Sequence, residues 1–472
     1  MAKRKESQAK VSKQQQTING EALRSAVSRV ADIKVFEDLK KHGNTSWMAA
    51  DLIRLAVLWV WSEKSTATAA FEAAKDWSTN VTGAAAVSTY QGLMKALVRW
   101  TPTWLPLLWC RMRELMRQQD AHWRVGLWMA VAVDGSRISV PRTKANEKAY
   151  CAPDFGRGKT AKYRKKKGKG KRRRKTTKEK MQPIKPQMWI TLMWHMGLQM
   201  PWGWRTGPSN SSERGHFQEI LEEEKFPENT LFCADAGFTG YDLWKAILDK
   251  RHSFLIRVGK NVTLLRKLGY ARERDGIVYF WPAKAARKKQ PPLVLRLLHL
   301  RLGATDIYLI TNILTKKRLS DQQAIKLYKL RWGVELQFRS LKQTFDRRKL
   351  LSRDPDRAKV ELDWALVGLW MIQLFAVNEQ IKIGLAPERC SVALAIKVVR
   401  KVAQQWHQDP DRNNTLSAQL RMATKDEYHR KKPKKARYQP NYKDKPSAGK
   451  PNIVTAKKRH KQMLKLHLSC AA

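Results

Sequence analysis

The chain has few of the residues that would tie it together covalently. Its five cysteines, Cys110, Cys151, Cys233, Cys390 and Cys470, are scattered over 472 residues, odd in number and without a CxxC pair. That excludes a disulfide framework and a cysteine-ligated zinc site, and it fits a reducing cytoplasm. Long apolar runs are missing too. The longest, Trp364 to Val377, is 14 residues and carries Gln373, which suits a buried helix better than a bilayer span. The N-terminus, MAKRKESQAKVSKQQQ, is polar with no apolar stretch behind it, unlike a secretory signal. Acids are scarce: 41 Asp and Glu stand against 93 Lys and Arg, a formal charge of +52. An excess this far beyond the needs of solubility implies a polyanionic partner, with nucleic acid first in line. An anionic membrane surface would need the basic runs on apolar helix faces, and they are not there.

Half of the excess is concentrated. Residues 157–180 hold 15 Lys or Arg and one acid, and residues 425–465 hold 15 against three. Both read as low-complexity arms that grip phosphates without reading sequence. The other half lies in core-forming segments, so the folded parts are basic in their own right. Residues 1–16 read as a disordered basic leader. Residues 17–123 read as a helical N-terminal DNA-binding domain, with breaks at Thr79–Gly83 and around Pro102. From 124 to 350 strand and helix patterns alternate, which predicts an α/β domain, with a flexible basic loop at 157–180 and a β-rich insertion at 259–304. Residues 351–424 read as helical and as a candidate dimerisation surface, and 425–472 as a basic tail.

The scarce acids are placed with a pattern. LWMAVAVD is an unbroken apolar run ending in Asp134 before Gly135 and Ser136, and LFCAD ends in Asp235 before AGFTGYD. Each reads as a buried strand that delivers an acid to a glycine turn. A third acid lies in YKLRWGVELQFRSLKQTF. At about 100° per residue, Tyr328, Arg331, Glu335 and Lys342 fall at about 0°, −60°, −20° and −40°, one narrow stripe beside an apolar arc. A carboxylate flanked by two cations and a phenol thus lies at the edge of a core. Phosphodiester chemistry by two metals needs three such acids, because hard divalent cations take carboxylate oxygens and must sit about 3.5–4 Å apart. Nearby Arg or Lys offsets the charge that develops on the phosphate. Ser136 and Arg137 adjoin Asp134, where they either steady its carboxylate or meet a phosphate. His216 reads as a structural or solvent-facing histidine.

These residues resemble the DDE transposases of the bacterial insertion sequence 4 group. The signature of that family on its third-acid helix is Tyr, two residues, Arg, three residues, Glu, six residues, Lys, and Tyr328, Arg331, Glu335 and Lys342 match every position. DGSRISVP around Asp134 and DAGFTGYD around Asp235 are similar to its first- and second-acid blocks, and the β-rich insertion falls where the family carries one. The resemblance covers roughly residues 124 to 350. It implies an RNase H-like catalytic domain in which Asp134, Asp235 and Glu335 bind two Mg²⁺, with Mn²⁺ as a substitute. It further implies cut-and-paste transposition: cleavage at terminal inverted repeats to expose a 3′-hydroxyl, then joining to target DNA by a homodimer that pairs two ends. Tyr328, Arg331 and Lys342 would contact the DNA end, with Arg137 a further phosphate-binding candidate. Some relatives stack a flipped base on an aromatic residue, for which Tyr308 and Trp281 are candidates by neighbourhood only. A bacterial, nucleoid-associated protein is expected. The rival readings are a domesticated, non-catalytic DNA-binding protein and an RNase H-like nuclease without strand transfer.

Overall fold

Tryptophan-rich helices begin the chain. The computed structural model describes residues 19–31, 34–37, 47–82, 85–151, 185–273, 276–303, 305–405, 414–426 and 449–469. The basic leader, the arm at 157–180 and most of the run at 425–465 lie outside these. Helix α1 spans residues 19–31, α2 Ala49–Trp61, α3 Ala67–Thr82 and α4 Tyr90–Arg117. The break expected around Pro102 does not occur. α4 runs through both Pro102 and Pro106, because Leu97, Trp104, Leu105, Leu108 and Met112 bury one continuous face, and that burial outweighs the backbone bonds the prolines remove.

The sheet follows. β1 (Met129–Ser139) pairs antiparallel with β2 (Gln187–His195), and β2 with β3 (Met200–Gly207). α5 (Glu213–Glu223), N-capped by Ser212, leads to β4 (Thr230–Ala234), and α6 (Tyr241–Asp249) leads to β5 (Ser253–Arg257). Both strands run parallel to β1. The central order β3-β2-β1-β4-β5, antiparallel on one side of β1 and parallel on the other, is an RNase H-like arrangement. β3 carries Pro201 and Gly203 and gives no strand signal in sequence; it is tolerated as the edge of the sheet.

The expected insertion does not stand apart. β6 (Thr263–Arg266), β7 (Ile277–Phe280), β8 (Leu293–Leu302) and β9 (Thr305–Thr311) extend the same sheet beyond β5, with β9 antiparallel to it. α7 (Asp321–Leu330) and α8 (Gly333–Arg339) come next. α9 (Pro355–Ile381) has Asp354 as N-cap, and α10 (Val392–Gln404) follows. The stretch read as a basic tail is partly ordered: β10 (Asn452–Thr455) pairs parallel with β6, and α11 (Lys458–Ser469) ends the described chain.

Helices from both ends of the chain share one core with the sheet. Ala130 and Ala132 of β1, the Trp-rich face of α4 and nearly all of α9 belong to it, while Met129, Val131 and Val133 join α5, α6 and the sheet extension on the opposite face. Three indole N–H groups pin α9: Trp61 donates to Gly368 O at 3.0 Å, and α9's own Trp364 and Trp370 donate to Thr101 Oγ1 at 2.9 Å and Met116 Sδ at 3.3 Å. α9 is long and apolar enough to cross a membrane, yet its apolar window is wholly buried inside the protein. Its apolar surface is therefore spent inside the protein.

Candidate active site

Strand register sets the first two acids side by side. The parallel pairing of β1 and β4 ends at Ala132↔Cys233, and Asp134 and Asp235 stand two residues further along each chain. β1 itself continues to Ser139, so what stops before Asp134 is the parallel pairing, not the strand. Alternation turns both acids to the face of Ala132 and Cys233, which is the face covered by α7 and α8. Asp134 Oδ1 accepts the Gly135 N–H at 2.9 Å. Asp235 Oδ1 accepts the Gly237 N–H at 2.7 Å and so caps the short 3₁₀ turn Ala236–Phe238.

The segment carrying the third acid is not one straight helix. α7 opens on a capping box between Ser320 and Gln323 and stops at Arg331. A tight turn follows, in which Val334 N–H bonds Arg331 O and Glu335 N–H bonds Trp332 O. α8 then carries Glu335 in its first turn, and a π-helical turn, Ser340–Thr344, carries Lys342. Helix irregularities of this kind recur at functional sites. Trp332, at the first break, is 55% exposed.

The acids converge on Arg331, which is 6% exposed. Its Nη2 donates to Glu335 Oε1 at 3.2 Å, its guanidinium lies 5.3 Å from the centroid of the Tyr328 ring, and its Nε is buried without a hydrogen-bond partner. Burial works against this charge, but Tyr328, Glu335, Asp134 and Asp235 outweigh it and hold the guanidinium above its usual range. Asp134 is pushed up to about 7, first by burial and then by the charges of Asp235 and Glu213. Burial also raises the Tyr328 phenol, whose hydroxyl accepts from the Arg257 side chain at the end of β5. Lys342 Nζ donates to Ser136 Oγ at 2.6 Å, and burial and Arg348 together lower its ammonium against the pull of Asp134.

Asp134, Asp235, Glu335, Tyr328, Arg331 and Lys342 are thus brought together, with Ser136 tied in through Lys342. Arg137 is not: alternation turns it to the opposite face of β1, where its guanidinium lies 4.7 Å from the centroid of the Trp189 ring. Trp281 is buried with its indole bonded to Gln290 O, and Tyr308 stacks on His299 with ring centroids 4.6 Å apart, so both serve the sheet extension. His216 is buried and pairs with Thr191 Oγ1 at 3.1 Å, a core contact. Two groups escaped sequence reasoning. Arg257 ends a strand that carries no motif, and Glu213 sits at the start of α5 directly after the Ser212 cap, well apart from the segments around Asp134 and Asp235. The glycines just after each strand-end acid were the available signal, since paired glycines beside charged groups mark a close approach.

Oxygen is the only donor type the three acids offer, and that suits a hard divalent cation such as Mg²⁺. A carboxylate that burial holds as high as Asp134 gains from a cation beside it. Among the described residues no three His, Cys, Asp or Glu side chains stand close enough together to chelate one ion; here the guanidinium of Arg331 balances their charge. The residues therefore fit a divalent cation in chemistry, with Arg331 as the group that would have to yield to it.

Residues 129–371 match the family described as Transposase DDE domain. The chain is 27% identical over 208 residues to the transposase InsG for insertion sequence element IS4 of Escherichia coli (strain K12), covering 42% of this chain and 46% of that one. It is 30% identical over 152 residues to the putative transposase y4zB of Sinorhizobium fredii (strain NBRC 101917 / NGR234), covering 31% and 42%. The match thus spans less than half the length of these curated relatives. A solved structure of the piggyBac transposase synaptic complex with hairpin DNA aligns with a TM-score of 0.38 at 12% identity, over 86% of this chain and 80% of that one.

Proposed function

The chain belongs to the DDE transposase family, on its insertion sequence 4 branch, and from that premise we propose that it cuts DNA at the terminal inverted repeats of a mobile element and joins the freed 3′ ends to target DNA. The observation that carries the reading is the convergence of Asp134, Asp235 and Glu335 on the buried Arg331. These three carboxylates would hold two Mg²⁺, with Mn²⁺ able to substitute. When bound, the ions would activate the attacking oxygen and offset charge on the leaving one.

Arg331 and Lys342 would meet the nonbridging oxygens of the scissile phosphate, where a water oxygen bonds to phosphorus and the bond to the 3′ oxygen breaks, that oxygen leaving as a hydroxyl with a proton from the water. The same cations would hold the target phosphate while the freed 3′-hydroxyl bonds to its phosphorus and displaces a second 3′ oxygen. Tyr328, fixed between Arg257 and Arg331, would position the DNA end through its hydroxyl. The net charge of +52 supports double-stranded DNA as partner, both transposon ends and target. Pairing two ends would require two protomers, and we assign the helical N-terminal region, residues 17–123, to end binding.

Purified protein, Mg²⁺ and DNA carrying the inverted repeats that flank its gene test the reading. Cleaved ends together with joined products are expected. Cleaved ends alone would make it a nuclease without strand transfer, and a retarded but intact DNA would make it a non-catalytic binding protein.

A further inference from the structure

Behind the segment that carries Glu335 and Lys342 lies a polar cavity of about 310 Å³, bounded by α8 and its π-helical turn, by α9 and by the start of α10. Gly333, Gln337, Ser340 and Thr344 line it, while Glu335 and Lys342 do not, so it occupies a different face of that segment from the acid site. Its floor is polar and paired: the Gln337 and Gln373 side chains exchange hydrogen bonds at 2.8 and 3.1 Å. Trp194 of β2, also on its wall, is not paired. This residue is 2% exposed, and its indole Nε1 is buried without a hydrogen-bond partner. A Cβ built on Gly333 would lie 2.7 Å from that nitrogen, so the space the N–H faces is the one left by the missing side chain. Gln199 Oε1 is as close to the same point, yet it does not take the indole proton.

The rim carries positive charge from two independent sources. α10 is a 13-residue helix whose cap, Ser391 Oγ, accepts from the Leu394 N–H at 3.4 Å. The N–H groups of Val392 and Ala393, both at the cavity, come before the helix's own ladder of hydrogen bonds and present its positive end. Arg339 and Lys425 stand at the same rim, and no Asp or Glu is among the described residues that line it. Lys425 is held there by the bridge between Cys390 and Thr424 and by its own Nζ, which donates to Glu388 O at 2.6 Å. Burial, and after it the charges of Arg339 and Arg389, push its ammonium below the usual range against the pull of Cys390 and Glu388. Cations crowded at a helix N-terminus repel one another unless an anion joins them.

We propose that this cavity is a phosphate-binding site, in which the Trp194 indole N–H, the N-terminus of α10, Arg339 and Lys425 take the oxygens of one phosphate group. The donors suit an oxyanion: N–H groups at the back and at a helix end, and two cations at the mouth. The phosphate belongs either to a DNA backbone or to a free phosphate compound such as a mononucleotide. Bound there, it would tie α8 and its π-helical turn to α10 without touching the three acids. The site does not depend on the reading of Asp134, Asp235 and Glu335 as cation-holding residues.

Fluorine NMR of the full chain labelled with 5-fluorotryptophan tests this apart from activity. The Trp194 resonance is the one lost in Trp194→Phe, and inorganic phosphate should shift it relative to sodium chloride of equal ionic strength. Arg339→Gln and Lys425→Gln should each weaken that titration about tenfold, the scale of one hydrogen bond to a charged group. Lys397→Gln, exposed further along α10, should titrate as wild type. Glu335→Gln should do the same, so this site and the three-acid reading stand or fall separately. Duplex DNA of random sequence and dAMP, each in phosphate-free buffer, identify the source. A shift of the same resonance by the duplex, weakened by the same two variants, makes it a backbone phosphate; a shift by inorganic phosphate and dAMP alone makes it a free one. If none of the three probes shifts the Trp194 resonance, or if the shift is undiminished in both Arg339→Gln and Lys425→Gln, the proposal is overturned.

Discussion

Two groups of carboxylates, one buried and one half-buried, lie at opposite ends of this protein's chemistry. On α9, Glu361 is fully buried and both its oxygens are used: Leu351 N–H and Ser352 N–H donate at 2.9–3.0 Å, Ser352 Oγ at 2.8 Å, and Arg347 lies 3.5 Å away. Asp363, two residues on, accepts from the Trp204 indole at 2.8 Å and from Lys359 at 2.6 Å. Where the parallel pairing of β1 and β4 stops, Asp134 and Asp235 each accept a single backbone N–H among the described residues, from Gly135 and Gly237, and share one guanidinium with Glu335. The α9 acids have their hydrogen bonds built in and hold the loop after the π-helical turn against the core. Asp134 and Asp235 are crowded with like charge and leave most of their oxygens for something else. Burial alone does not mark a functional acid; how completely its neighbours satisfy it does.

The largest expected effect separates the two groups by activity. Asp134→Asn and Asp235→Asn should each reduce end cleavage on the order of a thousandfold or more, the scale of losing a preorganised contact to the transition state, with no loss in melting temperature. Single-turnover cleavage of end-labelled DNA, with thermal melting of the same samples, checks both halves. On the other side, Glu361→Gln should cost about 3–5 kcal/mol of stability, because it breaks a buried network around Arg347 and Ser352. Urea unfolding reads this directly, and any cleavage lost should return in proportion to the folded fraction.

How far the chain could be read beforehand follows the same division. Asp134, Asp235 and the Tyr328-to-Lys342 stripe were legible because each sits at a local pattern, a strand run into glycine or a helical period. The bend at Trp332 and the π-helical turn at Ser340–Thr344 were not, since they change which residues meet without changing the period by more than one position. β3 was hidden by Pro201 and Gly203, which only its edge position tolerates, and β10 by the basic residues on either side of it. α4 crosses two prolines because tertiary burial decides there. Glu213 was invisible because what places it is a gap between two strands, known only once the strands are paired.

A smaller effect sharpens the comparison through pH. Asp134 is raised from an ordinary carboxyl to about 7, so the native state without metal holds a proton that the unfolded chain releases. The stability tied to that proton is present below about pH 4 and is lost as pH rises toward 7. Buried His195, lowered to about 4, runs the opposite way over the same range. The difference between Asp134→Asn and wild type cancels it: the variant's advantage in melting temperature should grow from pH 4 to 7 and then level off. A flat difference would mean that Asp134 is not crowded as described. Smallest of all, Trp204→Phe removes one of two donors to Asp363 and should cost about 1–3 kcal/mol, read by urea unfolding, with cleavage by the folded protein untouched.

Glu335→Gln tests the central claim most directly, because it keeps size and a hydrogen-bonding oxygen for Arg331 while removing one charge from the site. Its rate of end cleavage in Mg²⁺ should fall to background while its melting temperature without metal stays at the wild-type value. Cleavage at the wild-type rate by this variant would contradict the account.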